Sequence, residues 1–517
     1  MQMPKSKYEQ TKVCDETLVK EMTSVQDIFS IVSIEESGIF ELNNKRFSKL
    51  YALSDINFAG VTDEEQKQLI INFSNVLKSM PCRFSYSVAN EYVDERSFHE
   101  KILYRLRGDK YDHLRRAYNQ VIKDKVSDAK QGLYQTIYLT LTIKAENMAD
   151  ARSTFNSIES AIRSAFVGIG VNGIQGSFMR TVSIDERVQL LFNLTHAGID
   201  TRYKFHFEDE IAAKHDWMNI ITPVSICFEN ECFAMNNRIG KVFFIDEYPK
   251  SLESDIVSSL SKVNCTSYIT INNELLDIGG FKQEIARKYM GVGMKIENEK
   301  QRNRNNNDYL ADASAKLLSE KEKLDSFSRE LDTSDDHYYN STMLIFVLAK
   351  DKEELSQIEE KLHNAASLKS LKLKSCFGKQ REALNSVLPL GIQEFKRVIN
   401  LSSSCLAMFM PFKTQELNDE GGNYYGINQL SQNVIFADKK KLKNHNGMIF
   451  GQSGSGKSVF AKSEIISTFV NYPDDQIIII DPQSEYGGLA AETDGTVISF
   501  DSTKELYLNP MDVDFSG

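Results

Sequence analysis

Residues 447–481 alternate between short apolar runs and a helical pattern. The run at 447–450 has the length and composition of a buried parallel strand, and residues 458–470 carry apolar positions at helical spacing before Pro473 ends the pattern. Residues 476–481 form a second apolar run, which ends in Asp481. A strand, a loop, a helix and another strand in this order predict one βαβ unit.

The loop between the first strand and the helix reads GQSGSGKS at residues 451–458, which fits the phosphate-binding pattern G-x-x-x-x-G-K-[ST]. Glycines in such a loop let successive backbone N–H groups turn onto phosphate oxygens, while the lysine reaches the β- and γ-phosphates and the hydroxyl ligates Mg²⁺. We therefore predict ATP and Mg²⁺ as cofactors, Lys457 as a catalytic residue and Ser458 as the metal ligand. The predicted nucleotide-binding residues are Gly451, Gln452, Ser453, Gly454, Ser455, Gly456, Lys457, Ser458 and Val459.

Upstream of this unit, strand patterns followed by helix patterns recur along the chain. The first helix pattern opens with Thr62 and Glu65, which have the spacing of a capping box. The strand patterns lie at residues 28–58, 82–88, 134–143, 241–246 and 342–349, and the helix patterns lie at 62–80, 148–166, 252–260 and 352–366. This recurrence predicts an α+β region with split βαβ elements.

The predicted organisation has three parts. A polar segment at residues 1–27 precedes an α+β region at 28–414, which we expect to contain two subdomains and a helical insertion at about 281–335. Residues 415–517 are predicted to begin a RecA-like P-loop domain with a parallel sheet. The charged helical insertion is consistent either with a hairpin that contacts a partner or with a solvated connector.

Composition narrows the class of protein. The chain has 517 residues, 41% of them hydrophobic, which is typical of globular domains. Its net charge of −11 argues against indiscriminate nucleic-acid binding by the whole surface. Because no apolar run approaches about eighteen residues, we predict no transmembrane segment, and because the chain does not start with an apolar signal segment, we predict a cytoplasmic location.

Two further stretches allow a functional and a structural interpretation. Residues 101–125 interleave basic side chains with Tyr104, Tyr111 and Tyr118, which suits either a nucleic-acid or headgroup contact or, as we prefer, a solvated helix face. Residues 242–247 form an apolar strand that ends in Asp246 and Glu247, which resembles a metal-binding acidic strand. Since this strand precedes the phosphate-binding loop and lies in the α+β region, a simple turn is the favoured interpretation.

Several motifs together resemble the VirB4-type ATPases of conjugation and type IV secretion systems, in particular those of Gram-positive mobile elements. The motifs are GNYYGIN at 422–428, ADKK at 437–440, NG at 446–447, the loop at 451–458, IDPQSEY at 480–486 and LNPMD at 508–512. The specific resemblance covers residues 421–517. Upstream, the best local match is ALNSVLPLG at 383–391.

The resemblance implies an ATP-binding subunit that energises assembly or transport by a conjugative type IV secretion system. It implies a P-loop ATPase that lies in the cytoplasm, peripherally at the inner face of the cell membrane, and contacts inner-membrane components of the channel. It also implies a homo-oligomer, with a hexamer as one option, and it leaves contact with DNA open. Asp481 and Glu485 match the family's Asp-Pro-x-x-Glu-Tyr stretch, although Ser484 stands where glycine is commoner.

Asp481 and Glu485 are therefore additional catalytic candidates, and the alternative is a strand-end turn that Asp481 caps. The family's later acidic strand, catalytic glutamate and arginine finger fall beyond Gly517, so we expect a truncated nucleotide domain that does not hydrolyse ATP efficiently alone. Two alternatives to the ATPase function remain. One is a non-hydrolysing scaffold of the same machine, and the other, less favoured because it usually has membrane spans, is a DNA-pumping coupling protein.

Overall fold

The computed structural model describes residues 2–4, 25–92, 103–128, 133–172, 174–199, 203–249, 251–263, 265–305, 313–333, 335–413, 419, 421–428, 434–442 and 444–499. The chain divides into two compact units. The first comprises Met1–Tyr92 and Leu133–Gln415, and the second comprises Val93–Gly132 and Glu416–Gly517. Most of the predicted polar segment 1–27, residues 306–312 of the helical insertion and the motif at 508–512 lie outside the described residues.

The described strands are as follows in chain order. They are β1 (Gln2–Pro4), β2 (Ile31–Glu35), β3 (Ile39–Leu42), β4 (Arg46–Leu53), β5 (Arg83–Tyr92), β6 (Leu133–Lys144), β7 (Met179–Thr181), β8 (Ile226–Phe228), β9 (Phe233–Met235), β10 (Arg238–Glu247), β11 (Thr266–Leu275), β12 (Tyr338–Ala349), β13 (Lys372–Ser375), β14 (Ile399–Ser402), β15 (Asn423–Ile427) and β16 (Val434–Ala437).

The described α-helices follow the same numbering by chain order. They are α1 (Asp63–Lys78), α2 (Asp112–Asp128), α3 (Met148–Val167), α4 (Ile184–Thr195), α5 (Phe207–Ala213), α6 (Trp217–Ile221), α7 (Ile256–Leu260), α8 (Ile278–Asn305), α9 (Ala315–Thr333), α10 (Lys352–Leu368), α11 (Gln380–Val387), α12 (Ser403–Ala407), α13 (Lys457–Asn471) and α14 (Gly487–Glu492). The capping box predicted from Thr62 and Glu65 is present at the start of α1.

The first unit is built on one large antiparallel sheet. Its strands follow the order β1-β2-β3-β4-β6-β5-β11-β12-β10-β9-β8, with β7, β14 and β13 paired to β4, β12 and β10. The central strands pair over long registers, for example from Arg83 opposite Thr142 to Tyr92 opposite Leu133. The predicted α+β class with a helical insertion is thereby confirmed.

Within this sheet the chain traces the same β-α-β-β-α-β path twice. The first path runs β4-α1-β5-β6-α3-β7 and has the spatial order β7-β4-β6-β5, and the second runs β10-α7-β11-β12-α10-β13 with the order β13-β10-β12-β11. Both orders are those of a split βαβ, ferredoxin-like module. The two modules meet where β5 pairs antiparallel with β11, so the sheet continues from one to the other without an edge.

The two faces of the sheet carry separate cores because neighbouring side chains on a strand point to opposite faces. On one face, Tyr51 and Ile345 pack with Phe73 of α1, Phe155 of α3 and Leu362 of α10. On the other face, the cluster combines strand residues with Leu191 of α4, Trp217 of α6 and Leu384 of α11. The first unit is therefore layered as helices, sheet and helices.

Each module carries a long insertion at the same topological position, between its second and third strands. In the second module the insertion is the helical hairpin α8–α9, which packs internally through Phe281, Ile285 and Leu331. In the first module the insertion is Val93–Gly132, which contains α2 and belongs to the second unit. The predicted helical insertion is present, whereas the sequence did not separate residues 93–132 from the region 28–414.

The second unit contains α2, the antiparallel hairpin β15–β16, the helix α13 and the short helix α14. The prediction of a buried parallel strand at 447–450 and of a second strand at 476–481 in one βαβ unit is wrong, since neither range forms a strand in the described part of the unit. Their side chains still alternate with the period of an extended chain. Met448, Phe450, Ile478 and Ile480 are 82, 85, 88 and 92% exposed, while Ile477 and Ile479 are 37 and 38% exposed. An apolar extended run becomes a strand only with a neighbour to pair its N–H and C=O groups.

Candidate nucleotide-binding site

The P-loop, residues 451–458, leads directly into α13. Gly456 is the N-cap of this helix and has φ +92°, and Gly454 has φ +78°. Both values lie in the left-handed region that glycine adopts readily and other residues avoid. Since no side chain caps α13, the backbone N–H groups of its first turn keep no intrahelical acceptor and carry the positive end of the helix dipole. This arrangement suits a phosphate group.

Lys457 lies against the loop that precedes it. Its Nζ donates to the carbonyl oxygens of Gly451 at 2.7 Å and of Gln452 at 2.8 Å. The loop is tight here, because a Cβ on Gly451 would lie 2.4 Å from Ser455 Oγ and 3.1 Å from Lys457 Cγ. The ammonium is therefore held at the mouth of the loop by neutral acceptors, which an anionic phosphate would outcompete.

The other predicted nucleotide-binding residues surround this contact. Ser455 N donates to the carbonyl of Gln452 at 3.2 Å, which closes the turn. The side chains that face outward along the loop and the start of the helix belong to Gln452, Ser453, Ser455, Ser458 and Val459. Ser458 stands one residue into α13, so its hydroxyl is exposed beside the helix N-terminus.

Asp481 caps the turn that follows it. Its Oδ2 accepts the backbone N–H of Tyr486 at 2.8 Å, and this hydrogen bond, the largest of several from residues 483–486, lowers the pKa of the carboxyl group. Ser484 adopts φ +57° in this turn, which explains physically why glycine suits the position. Glu485 is exposed next to Tyr486, whose ring lies 5.4 Å from the ammonium of Lys462 in α13. The structure thus gives Asp481 the capping geometry, and a catalytic role for Asp481 and Glu485 stays a prediction.

The motifs at 422–428 and 437–440 form the β15–β16 hairpin and its exit, which pack along α13. Asn423 Nδ2 donates to Thr468 Oγ1 at 3.2 Å, and Tyr425 OH donates to Glu464 Oε1 at 2.9 Å. After the helix, Tyr472 OH donates to Asp438 Oδ1 at 2.7 Å. These residues therefore hold the P-loop helix from one side and do not themselves form the phosphate-binding loop.

Residues 103–128 hold the same helix, and sequence reasoning missed this role. Arg115 is 1% exposed, Tyr118 OH donates to the carbonyl of Ser463 at 3.0 Å, and the ring of Tyr111 meets Phe469 edge-on at 4.8 Å. The preferred interpretation of a solvated helix face is therefore wrong for the side of α2 that carries Arg115 and Tyr118. The interleaved tyrosines were the available signal, because aromatic residues at helical spacing bury one face.

The acidic strand end at Asp246 has a structural explanation within the first unit. Its carboxylate accepts from Arg397 at 2.6 Å and pairs with Lys374 at 2.5 Å, and the Lys374 hydrogen bond is the main reason that its pKa is lowered. Two cationic neighbours satisfy this carboxylate, so the geometry agrees with the favoured turn interpretation.

Across the described ranges, no helix combines the length and the apolar character that crossing a membrane requires. The side chains and backbone donors of the P-loop match the chemistry of a nucleoside triphosphate with Mg²⁺. No side chain caps the backbone N–H groups at the start of α13, the ammonium of Lys457 lies on the preceding loop, and the exposed hydroxyl of Ser458 is available to a hard cation. The loop, the helix and these donors define a P-loop nucleotide-binding site.

Comparison with known proteins agrees with this class. Residues 429–516 match the family model described as helicase HerA, central domain. No curated protein matches the chain. The family match supports a P-loop ATPase domain of the HerA kind, and the VirB4-type ATPases belong to the same broad family of domains.

Proposed function

We propose that this chain is a VirB4-like ATP-binding subunit that energises assembly or transport by a conjugative type IV secretion system. The observation that carries the proposal is the P-loop conformation, in which Gly454 and Gly456 adopt positive φ and Lys457 lies at the mouth of the loop. The motifs around it support the VirB4 type, because those at 422–428 and 437–440 pack on the P-loop helix. In this proposal Mg²⁺ and ATP are the cofactors.

The proposed location is the cytoplasm at the inner face of the cell membrane, where the chain works as a homo-oligomer with inner-membrane components of the channel. The layered first unit and its α8–α9 hairpin offer surface for such partners, since Met290 and Met294 of α8 are exposed. In this proposal the subunit binds nucleotide in the cytoplasm, and the inner-membrane components form the channel that it energises.

The test measures MgATP binding and phosphate release by the purified full chain, with Lys457→Ala as the inactive variant. Release that Lys457→Ala abolishes supports the ATPase, while binding without release supports the alternative of a non-hydrolysing scaffold. Absence of binding would overturn the proposal. A second arm measures conjugative transfer from a host in which the gene encodes Lys457→Ala, and undiminished transfer would contradict the role in secretion.

A further inference from the structure

Residues 103–128, which we call the α2 clamp, lie in the second unit and contact α13 from Ser463 to its last residue, Asn471. Arg115 donates from Nε to the carbonyl of Val470 at 3.2 Å, and Arg107 donates from Nη2 to the carbonyl of Asn471 at 3.0 Å. These are the last two carbonyls of the P-loop helix. The clamp therefore binds the end of the helix opposite to the phosphate-binding end.

The position of both guanidinium groups follows from helix electrostatics. The final carbonyls of a helix have no intrahelical donors, and they form the negative end of its dipole. Cationic donors there satisfy the carbonyls and stabilise the helix. An anionic phosphate at the N-terminus of the helix also interacts favourably with this dipole. The clamp and the nucleotide therefore both stabilise the ordered helix.

Arg115 is fixed in place by its own partners. It is 1% exposed, and its Nη1 donates to Asp109 at 2.6 Å and to Asp112 at 2.7 Å. Asp112 also accepts the backbone N–H groups of Arg107 at 3.1 Å and Gly108 at 2.9 Å. Because a buried charge is stable only when it is paired, this network favours one conformation of the Arg115 side chain over all others.

We propose that the α2 clamp fixes the C-terminal half of the P-loop helix, and that Arg115 is a positioning residue for nucleotide binding that acts through α13. Phosphate binding needs the N–H groups of the P-loop and of the first helical turn to point at one place. A helix held at its far end is preorganised for this, and a ligand that must first order its site binds more weakly. The consequence for nucleotide affinity rests on the proposed function, whereas the ordering of α13 does not.

The test compares full-length Arg115→Met with Arg116→Met, since Arg116 is the next residue on α2 and is exposed. The first readout is amide hydrogen exchange in residues 457–471 without nucleotide, and the second is the dissociation constant for MgATP. Arg115→Met should speed exchange in the C-terminal half of α13 and weaken MgATP binding about tenfold, because a charge-assisted hydrogen bond to this helix is lost. Arg116→Met should change neither.

Two further variants separate positioning from misfolding. Tyr118→Phe removes only the hydroxyl that donates to Ser463, and it should shift both readouts in the same direction by less than Arg115→Met. Arg115→Lys keeps the charge without the planar fork and should recover part of the loss. Saturating MgATP should restore protection of α13 in Arg115→Met, since ligand binding supplies the order that the clamp no longer provides.

Unchanged exchange in α13 of both Arg115→Met and Tyr118→Phe would overturn the clamp. Faster exchange with unchanged MgATP affinity would overturn the positioning role of Arg115. If the wild-type chain does not bind MgATP, the proposed function fails, and the exchange experiment without nucleotide still decides whether the clamp orders the helix.

Discussion

Lys457 donates its ammonium to the carbonyl of Gly451, six residues earlier, at 2.7 Å. The contact closes the P-loop on itself and adds little to any hydrophobic core. We therefore expect Lys457→Ala to weaken MgATP binding by roughly 10- to 100-fold, the equivalent of a hydrogen bond between charged groups, while the melting temperature without nucleotide changes little.

Isothermal titration calorimetry of MgATP binding and differential scanning calorimetry of thermal unfolding without nucleotide would check this expectation. Lys462→Ala is the matched control, because Lys462 lies on the same helix with its ammonium over the ring of Tyr486. A large drop in the nucleotide-free melting temperature of Lys457→Ala would show that the lysine has a structural role instead.

Ser458 provides the second prediction. Its hydroxyl is exposed at the N-terminus of α13 and suits Mg²⁺, a cation that prefers oxygen ligands. Ser458→Ala should weaken ATP binding in the presence of Mg²⁺ and leave binding in excess chelator nearly unchanged. The measurement compares the dissociation constants of wild type and Ser458→Ala for ATP, with Mg²⁺ and with excess chelator. An equal loss of affinity in the two conditions would count against Ser458 as a metal ligand.

Gly456 supplies a third prediction through its backbone. At φ +92°, any residue with a Cβ is strained, by about 1–2 kcal/mol, so Gly456→Ala should distort the loop and reduce MgATP affinity. The reduction should occur although a Cβ there meets no described atom within 4 Å, which excludes crowding as the cause. Gly487→Ala is the control, because this glycine begins α14 without positive φ and alanine favours a helix. Equal affinities of Gly456→Ala and wild type would contradict the backbone argument.

We expect Glu91 to make the stability of the first unit depend on pH. This residue lies in β5 and accepts a hydrogen bond from Tyr268 of β11. Burial raises the pKa of its carboxyl group from 4.5 to about 7, and the Tyr268 hydrogen bond opposes part of this rise. Because the pKa of Glu91 is higher in the folded state than in the unfolded state, proton binding by Glu91 stabilises the fold. This stabilisation is fully present below pH 4.5. This stability, on the order of 3 kcal/mol, should be lost as pH rises to about 7.

Urea unfolding at several pH values would measure the effect through the single tryptophan, Trp217, which is buried in the first unit. Glu91→Gln cannot ionise and should remove the slope between these pH values. Glu64→Gln is the control, since Glu64 is an exposed residue of α1. A slope that persists in Glu91→Gln would mean that another group causes it.

The sequence was sufficient for features that depend on neighbouring residues. The P-loop, the helix that follows it and the capping box of α1 all arise from local backbone chemistry, and each is present in the structure. The recurrence of strand and helix patterns also predicted the α+β class. The pairing of β5 with β11 was beyond reach, because periodicity identifies strands and not their partners.

The site could be predicted only in part for the same reason. The loop was recognised from eight consecutive residues, whereas the contact of Arg115 with Val470 joins positions 355 apart. A buried arginine and an exposed one look alike in sequence when acidic residues surround both, as the solvated-face interpretation of residues 101–125 shows. The apolar runs at 447–450 and 476–481 have the composition of strands, but only paired neighbours make a strand.

The division of the chain also has a consequence for folding during synthesis. The second unit is assembled from residues 93–132 and from residues after 415, and the second half of the first module and the whole second module are translated between them. The α2 clamp is therefore synthesised long before α13. Until α13 is synthesised, Tyr111 and Tyr118 lack the contacts that they make with this helix. Contacts of such high sequence separation form late. We expect the sheet to be complete before the nucleotide site exists, which delays ATP binding until synthesis has passed the P-loop.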